Sequence, residues 1–224
     1  MKYRYDELNN NEFESHRLAM DSIKPNSKVL DIGCATGYLA RELSKIGCET
    51  WGVDCDELAA KKAENYCKEI TICNLDEIDT LPFPENFFDF IVALDVVEHL
   101  IHPDKLLSVV KPYLKAGGQI VISVPNIAHA SMRWSLLNGH FEYTSTGILD
   151  KTHVHFYTMK SFENLIKRAG YKILTISPTN GMCKVPFLYK ITDRLPAIWQ
   201  YKIVKMLPTL FSYQFIAVAK LRKR

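Results

Sequence analysis

Near-continuous apolar runs alternate with amphipathic ones through the first 124 residues of the chain. Residues 29–32, 50–53, 70–73, 88–94 and 120–124 read as short strands that are apolar on both sides. Between them, 38–46, 57–66 and the stretch from about 103 to 113 carry apolar residues at helical spacing. A strand that is apolar on both faces has to be covered on both. The alternation therefore predicts an α/β fold with a mainly parallel sheet and helices on both faces. A helix over about 11–23, with Phe13, Leu18, Ala19 and Ile23 apolar, precedes the first strand, and Pro25–Asn26 ends it. Pro82 and Pro84 mark a loop before the fourth strand, and the residues 115–118, Lys-Ala-Gly-Gly, mark a turn before the fifth.

The last third departs from that rhythm. Residues 126–157 have little strand character and hold four of the seven histidines. A helix at about 159–169 and a strand at 172–177 resume the alternation. Residues 181–211 are then rich in Pro, aromatics and Lys before a final strand at 214–220. A length of 224 residues with 47% hydrophobic content supports one core. The expected organisation is a single domain over 1–224, with a helical cap at 1–25, a long loop at 126–157 and an insertion or lid at 181–211.

The net charge of +3 hides an uneven distribution. Residues 181–224 contain nine Lys/Arg against Asp193 alone, leaving 19 basic and 24 acidic residues elsewhere. Such a segment points to an anionic or membranous partner for that face. Cys34, Cys48, Cys55, Cys67, Cys73 and Cys183 form neither a CxxC pair nor a metal-ligand spacing. Free thiols in apolar runs predict a reducing, cytoplasmic compartment. The opening MKYRYDELNN has no apolar signal-peptide core, and no run reaches the ~18–20 apolar residues of a spanning helix.

The stretch VLDIGCATGYLA, 29–40, is a strand that enters a glycine-punctuated turn and leaves as a helix. A dinucleotide site wants G-x-G-x-x-G and a nucleotide P-loop wants a Lys after its last glycine. Here only Gly33 and Gly37 are present, Ala35 stands between them, and no Lys follows. Asp31, just ahead of the turn, would repel a phosphate and attract a cation. S-adenosylmethionine (SAM) carries a sulfonium and an ammonium, and its carboxylate can use a helix N-terminus.

With VLDIGCATG as its first motif, the chain resembles the class I SAM-dependent methyltransferases. TWGVDCD, ICNLDE, FPENFFDFIVALDVVEHL and YLKAGGQIVISVPN follow in the order and spacing of that family. The resemblance implies a Rossmann-like fold: a seven-stranded sheet of order 3-2-1-4-5-7-6, mostly parallel with the last strand antiparallel, and an insertion before that strand. It implies SAM as methyl donor, with S-adenosylhomocysteine as product. Asp31, Gly33, Cys34 and Gly37 would hold the methionine part, and Asp54 the ribose hydroxyls. Asn74, Leu75 and Leu94 complete the implied set, and Asn74 and Asp76 are the two residues offered where the family commonly has an acid near the adenine. The distal stretch SVPNIAHASMRWSLLNGHFEYTSTGILDKTHVHFYT is similar to a bacterial subgroup often linked to glycan or envelope biosynthesis, and to ubiquinone-pathway O-methyltransferases. The implied activity is methyl transfer to oxygen of a sugar-like or other small hydroxylated acceptor. The alternatives are a non-catalytic SAM- or partner-binding protein, or an enzyme acting on a quinone, lipid or nucleic acid. No nucleic acid is expected, because the amino-methylating N/D-P-P-Y/F signature is absent.

A hydroxyl acceptor calls for a general base, and His is suited to that near neutral pH. His99, His102, His129, His140, His153 and His155 are candidates, while His16 lies in the first helix. His153, in THVHFYT after the fifth strand, is the first choice and His129 the second. Asp95, Glu98 and His99 form D-x-x-E-H at the end of the fourth strand. Some relatives use a similar E-x-x-E-H with a later His to bind a divalent cation. Here the expectation is that no metal is bound and that Glu98 and His99 shape the acceptor pocket. Trp134, Phe141, Tyr143, Phe156 and Tyr157 either line that pocket or form a satellite core. Tyr3 and Tyr5 could close over the cofactor.

Residues 181–211 interleave Phe187, Leu188, Ile191, Leu195, Ile198, Trp199, Ile203, Met206 and Leu207 with Lys184, Lys190, Arg194, Lys202 and Lys205. That composition suits an apolar face packed on the sheet or on a second subunit, as in a homodimer. Packing is the favoured reading, because amphipathicity alone usually means packing; the alternative is a helix in a membrane interface or a lid over a lipid-linked acceptor.

Overall fold

The computed structural model describes residues 13–181 and 194–222. Tyr3, Tyr5, Cys183, Lys184, Phe187, Leu188, Lys190 and Ile191 lie outside the described residues. In chain order the elements are α1 (Ser15–Ser22), β1 (Lys28–Ile32), α2 (Tyr38–Ser44), β2 (Glu49–Asp54), α3 (Glu57–Ala63) and β3 (Ile70–Ile72). There follow β4 (Phe88–Ala93), α4 (Pro103–Val109), a 3₁₀ turn, β5 (Leu114–Pro125), α5 (Ala130–Leu137) and α6 (Met159–Arg168). The chain closes with β6 (Tyr171–Asn180), α7 (Ala197–Met206), α8 (Pro208–Phe211) and β7 (Ser212–Leu221).

The seven strands among the described residues form one sheet of order β3-β2-β1-β4-β5-β7-β6. The pairings from β3 through β5 are parallel, and β7 runs antiparallel to both of its neighbours. Strand alternation divides the buried side chains between two faces. Leu30, Ile32, Ile91, Ile120 and Ile122 join Leu107, Phe162 and Ile166 in the main core. Val29, Val92, Val121 and Ile216 meet Ala19, Leu39 and Leu43 on the other side. Two local signals fix helix starts. Asp56 accepts from the Leu58 and Ala59 amides at the head of α3, and Thr158 and Ser161 form a capping box on α6.

The fifth strand is longer than its apolar pattern suggests. Phe88 pairs with Leu114 and Phe90 with Gln119, so residues 115–118 loop out of a ladder that continues on both sides. Gly117 has φ +84°, and a Cβ on Gly118 would lie 3.0 Å from the Lys115 carbonyl oxygen. The glycines therefore serve a bulge within a strand and not a turn before one. Within 126–157 the structure also places a helix, α5, where the sequence suggested loop alone. Among the described residues no helix is long and apolar enough to cross a membrane.

Candidate functional site

The parallel strands β1, β2 and β4 end on one edge of the sheet, the edge at which open α/β sheets bind ligands. There the chain makes three left-handed residues in five: Gly33 (φ +74°), Ala35 (φ +47°) and Gly37 (φ +77°). The Gly33 and Cys34 amides both donate to the Val53 carbonyl, at 2.7 and 3.1 Å. A Cβ on Gly33 would lie 2.6 Å from Val96 Cγ2, and one on Gly37 2.9 Å from the Ala63 Cα. Both glycines thus let neighbouring elements approach closely. Asp54, buried at the end of β2, locks the turn from below. Its Oδ2 accepts from the Ala35 amide at 2.8 Å and its Oδ1 from the Asp56 amide at 2.9 Å.

Asp31 is buried beside this clamp. Burial, and then the nearby Asp54 carboxylate, push the Asp31 carboxyl up to about 8. A buried acid in that condition would gain its charge on meeting a cationic ligand group, which fits the ammonium of SAM. Beyond β3, Asn74 bonds the Glu77 carboxylate at 2.8 Å and stays at the exposed rim. Asp76 is already engaged, accepting from the Ile101 and His102 amides at 2.9 and 3.1 Å. Asn74 Oδ1 in turn accepts from the Asp76 amide at 3.2 Å, so both polar candidates near the adenine are bonded locally, and Asn74 is the more exposed of the two. Leu75 packs against the main core and Leu94 against the opposite one.

The D-x-x-E-H stretch and the distal histidine loop meet. The Glu98 carbonyl accepts from the Val154 and His155 amides at 2.8 and 3.0 Å, which pins that loop to the end of β4. Consequently the rings of His99 and His153 are 4.7 Å apart, edge to face. His99 Nδ1 is held by Thr152, and His153 Nδ1 donates to the Ile148 carbonyl at 3.0 Å. In each case Nε2 is the nitrogen with its lone pair to offer. Burial, opposed by the Ile148 hydrogen bond and aided by His99, holds the His153 imidazole below its ordinary value. Glu98 is buried and neither carboxylate oxygen has a hydrogen-bond partner. Burial first, then Asp95, raise it well above the ordinary carboxylate range. Among the described residues, one donor atom each from Glu98, His99 and His153 fall within 4.8 Å of one another.

The other histidines have different duties. His129 is fully buried at the N-cap of α5. Its Nδ1 accepts from the Ser131 amide and its Nε2 donates to the Gly181 carbonyl at 3.2 Å. Both nitrogens are used, so the second-choice base is a helix cap with no free lone pair. His155 reaches the Ile101 carbonyl.

Two groups at this edge were not singled out from sequence. Nε2 of His16, on α1, meets the Tyr38 hydroxyl at the head of α2. Burial lowers the His16 imidazole, partly offset by Asp95. Asp95 itself is left-handed (φ +54°), and its Oδ1 accepts from Ser123 Oγ at 2.6 Å and from the Gln214 amide at 2.8 Å. No local pattern marks Gln214, because its partner is on a strand distant in sequence. A cavity of about 300 Å³ opens beside this region, lined among others by Ser131, Ser135, His140, Glu142, Thr144 and Tyr213. Phe141, Tyr143 and Phe156 pack on one another next to His153, whereas Tyr157 is in the main core and Trp134 is half exposed.

Residues 5–176 match the sequence profile of a family described as a methyltransferase domain. The human mitochondrial ubiquinone biosynthesis O-methyltransferase is 28% identical over 172 residues, covering 71% of this chain and 44% of the relative. The Bradyrhizobium diazoefficiens ubiquinone biosynthesis O-methyltransferase is 29% identical over 171 residues, covering 74% and 65%. The chain spans about half the length of the curated mammalian relatives it matches. Among solved structures, a SAM-dependent methyltransferase from Archaeoglobus fulgidus superposes with a TM-score of 0.64 at 21% identity, covering 94% of this chain and 96% of the other. One from Aquifex aeolicus gives 0.60 at 17% identity, covering 94% and 92%.

Proposed function

Since the chain belongs to this methyltransferase family, we propose that it methylates an oxygen of a small, sugar-like or otherwise hydroxylated acceptor, with His153 as general base. The observation that carries the reading is the anchoring of His153: its Nδ1 is held by the carbonyl of Ile148, a residue that lines the cavity, which leaves Nε2 as the nitrogen able to accept a proton. When bound, SAM supplies a methyl group on a sulfonium that is open to in-line attack, so alignment accounts for much of the acceleration. Asp31 takes the ammonium, and Gly33, Cys34 and Gly37 supply backbone to the methionine part. Asp54 binds the ribose hydroxyls, with Asn74, Leu75 and Leu94 around the adenosine. His153 Nε2 removes the acceptor hydroxyl proton as oxygen attacks. The cavity between α5 and residues 140–149 holds the rest of the acceptor, its serine, threonine and glutamate side chains matching a polyhydroxylated ligand.

Calorimetry with SAM and S-adenosylhomocysteine on wild type and Asp54→Ala tests the donor half. Unchanged affinity in the variant, or none in the wild type, defeats the assignment. Appearance of S-adenosylhomocysteine with a panel of hydroxylated acceptors separates an enzyme from a binding protein.

The two unpartnered oxygens of Glu98 favour a second reading of the histidine corner. A divalent cation held by Glu98, His99 and His153 would orient the acceptor oxygen. Titration with Mn²⁺ or Zn²⁺ in the absence of SAM discriminates. Heat that vanishes in Glu98→Gln supports the cation, and no heat leaves Glu98 as a protonated wall of a metal-free pocket.

A further inference from the structure

Helix α7 presents an apolar, cationic face to solvent at the ligand-binding edge, and we propose that this face docks the protein on an anionic membrane surface. One side of the helix is fully used. Gln200 bonds Asn180 at the end of β6 at 3.0 Å, Tyr201 stacks on Phe13 at 4.1 Å, and Val204 is buried. The other side is also apolar. Ile198 is 51% exposed, Trp199 57%, Met206 79% and Leu207 52%. Large apolar side chains thus lie on both sides of the helix, and those on the outer side, beside its lysines, are left uncovered.

The charge pattern selects what covers it. Arg194, Lys202 and Lys205 are all exposed, and no acidic residue occurs between 194 and 211. Lys202 Nζ rests 4.3 Å from the Trp199 ring centre and Lys205 Nζ 4.8 Å from that of Tyr201, so each ammonium sits over an aromatic ring. A second copy related by a twofold axis would bring these cations against their own counterparts. An anionic lipid surface pairs them instead, while Trp199 and the aliphatic side chains enter the headgroup boundary.

Topology gives the face its direction. Because β7 is antiparallel, its start at Ser212 lies with the ends of β5 and β6, where Pro125 pairs with Gln214 and Asn180 with Ser212. The helix hung on those strand ends therefore shares an edge with the glycine turn and the histidine corner. Resting on the methyl-transfer reading, this places a lipid-linked hydroxylated acceptor within reach. The docking itself needs no turnover.

The test is co-sedimentation of the full chain, without SAM, with vesicles of phosphatidylcholine alone and of phosphatidylcholine with phosphatidylglycerol. The mixed vesicles should bind it at low salt, the neutral ones far less, and added salt should release it. At roughly fivefold per lysine, Lys202→Glu with Lys205→Glu should weaken partitioning by at least about 25-fold. Trp199→Ser should weaken it as well. All three positions are exposed, and a thermal melt confirms that the variants fold. No binding at low salt, equal binding to neutral vesicles, or an unchanged double variant overturns the proposal. So does a lipid-free dimer that Trp199→Ser dissociates. S-adenosylhomocysteine production, measured separately, distinguishes failure of docking from failure of the catalytic reading.

Discussion

The Gln214 side-chain amide donates a 2.8 Å hydrogen bond to Asp95 Oδ1, joining the start of β7 to the end of β4. Asp95 holds a left-handed backbone conformation, and its amide and Oδ1 are both bonded to Ser123 Oγ. Gln214→Leu removes one of two donors to a partly buried carboxylate. The expected cost is about 1–3 kcal/mol of stability, read from the urea midpoint. Gln214→Glu should cost more, since it sets two carboxylates against each other. Equal stability in all three proteins would show that the contact is idle.

His153→Ala should lower kcat by roughly 10²–10⁴-fold and leave SAM affinity intact. Burial holds the imidazole below its ordinary value, and only the neutral form can accept a proton. The acid limb of kcat/KM should therefore fall below the usual histidine value of about 6.5. The limb should disappear in the variant. Near-normal turnover in His153→Ala removes it as the base.

On the proposed reading, in which Asp31 takes the SAM ammonium, a carboxyl pushed up to about 8 by burial and Asp54 should make SAM binding pH-dependent. In the free protein its carboxyl keeps a proton at pH 7, and a cationic partner makes it release that proton. SAM affinity should rise with pH and level off above about 8. Calorimetry in buffers of different ionisation heat should detect proton release, and Asp31→Asn should abolish it. The same group acts on the ligand-free fold with a definite sign. Its folded value lies above the ordinary 3.8, so between about 4 and 8 the folded state keeps a proton that the unfolded state has lost. Its contribution to stability therefore declines as pH rises through that window. Melting temperatures at pH 5 and pH 8 should differ less in Asp31→Asn than in wild type.

Gly37→Ala should destabilise by about 1–3 kcal/mol, because it combines a φ of +77° with a Cβ 2.9 Å from backbone at Ala63. Ala35→Gly at φ +47° should be neutral or slightly stabilising. Thermal melts of the two variants suffice, and equal effects would mean that the turn tolerates a Cβ anywhere.

The strands of the parallel half were legible because both of their faces are buried, so they read as unbroken apolar runs. Asp31 and Asp54 were legible because local sequence alone brings them to strand ends. Helix α5 was not. Leu136 and Leu137 are both exposed and Met132 is the residue it buries, so no apolar face repeats at helical spacing. His129 looked like a base because its sequence neighbours say nothing of the Gly181 carbonyl that occupies it. His16 and Gln214 were passed over for the same reason, since their partners are set by strand order and helix docking.

The reversal of β7 has an architectural consequence. Had β7 run parallel to β5, the chain joining it to β6 would have crossed to the far edge of the sheet. Antiparallel, β7 starts at the edge where β5 and β6 end, the edge that carries the histidine corner, while the glycine turn belongs to β1 and β2. The fold is thereby modular. On the proposed function, a change of length or charge in the β6–β7 junction would alter where the molecule works and what it receives, and leave the glycine turn on β1 and β2 as it stands.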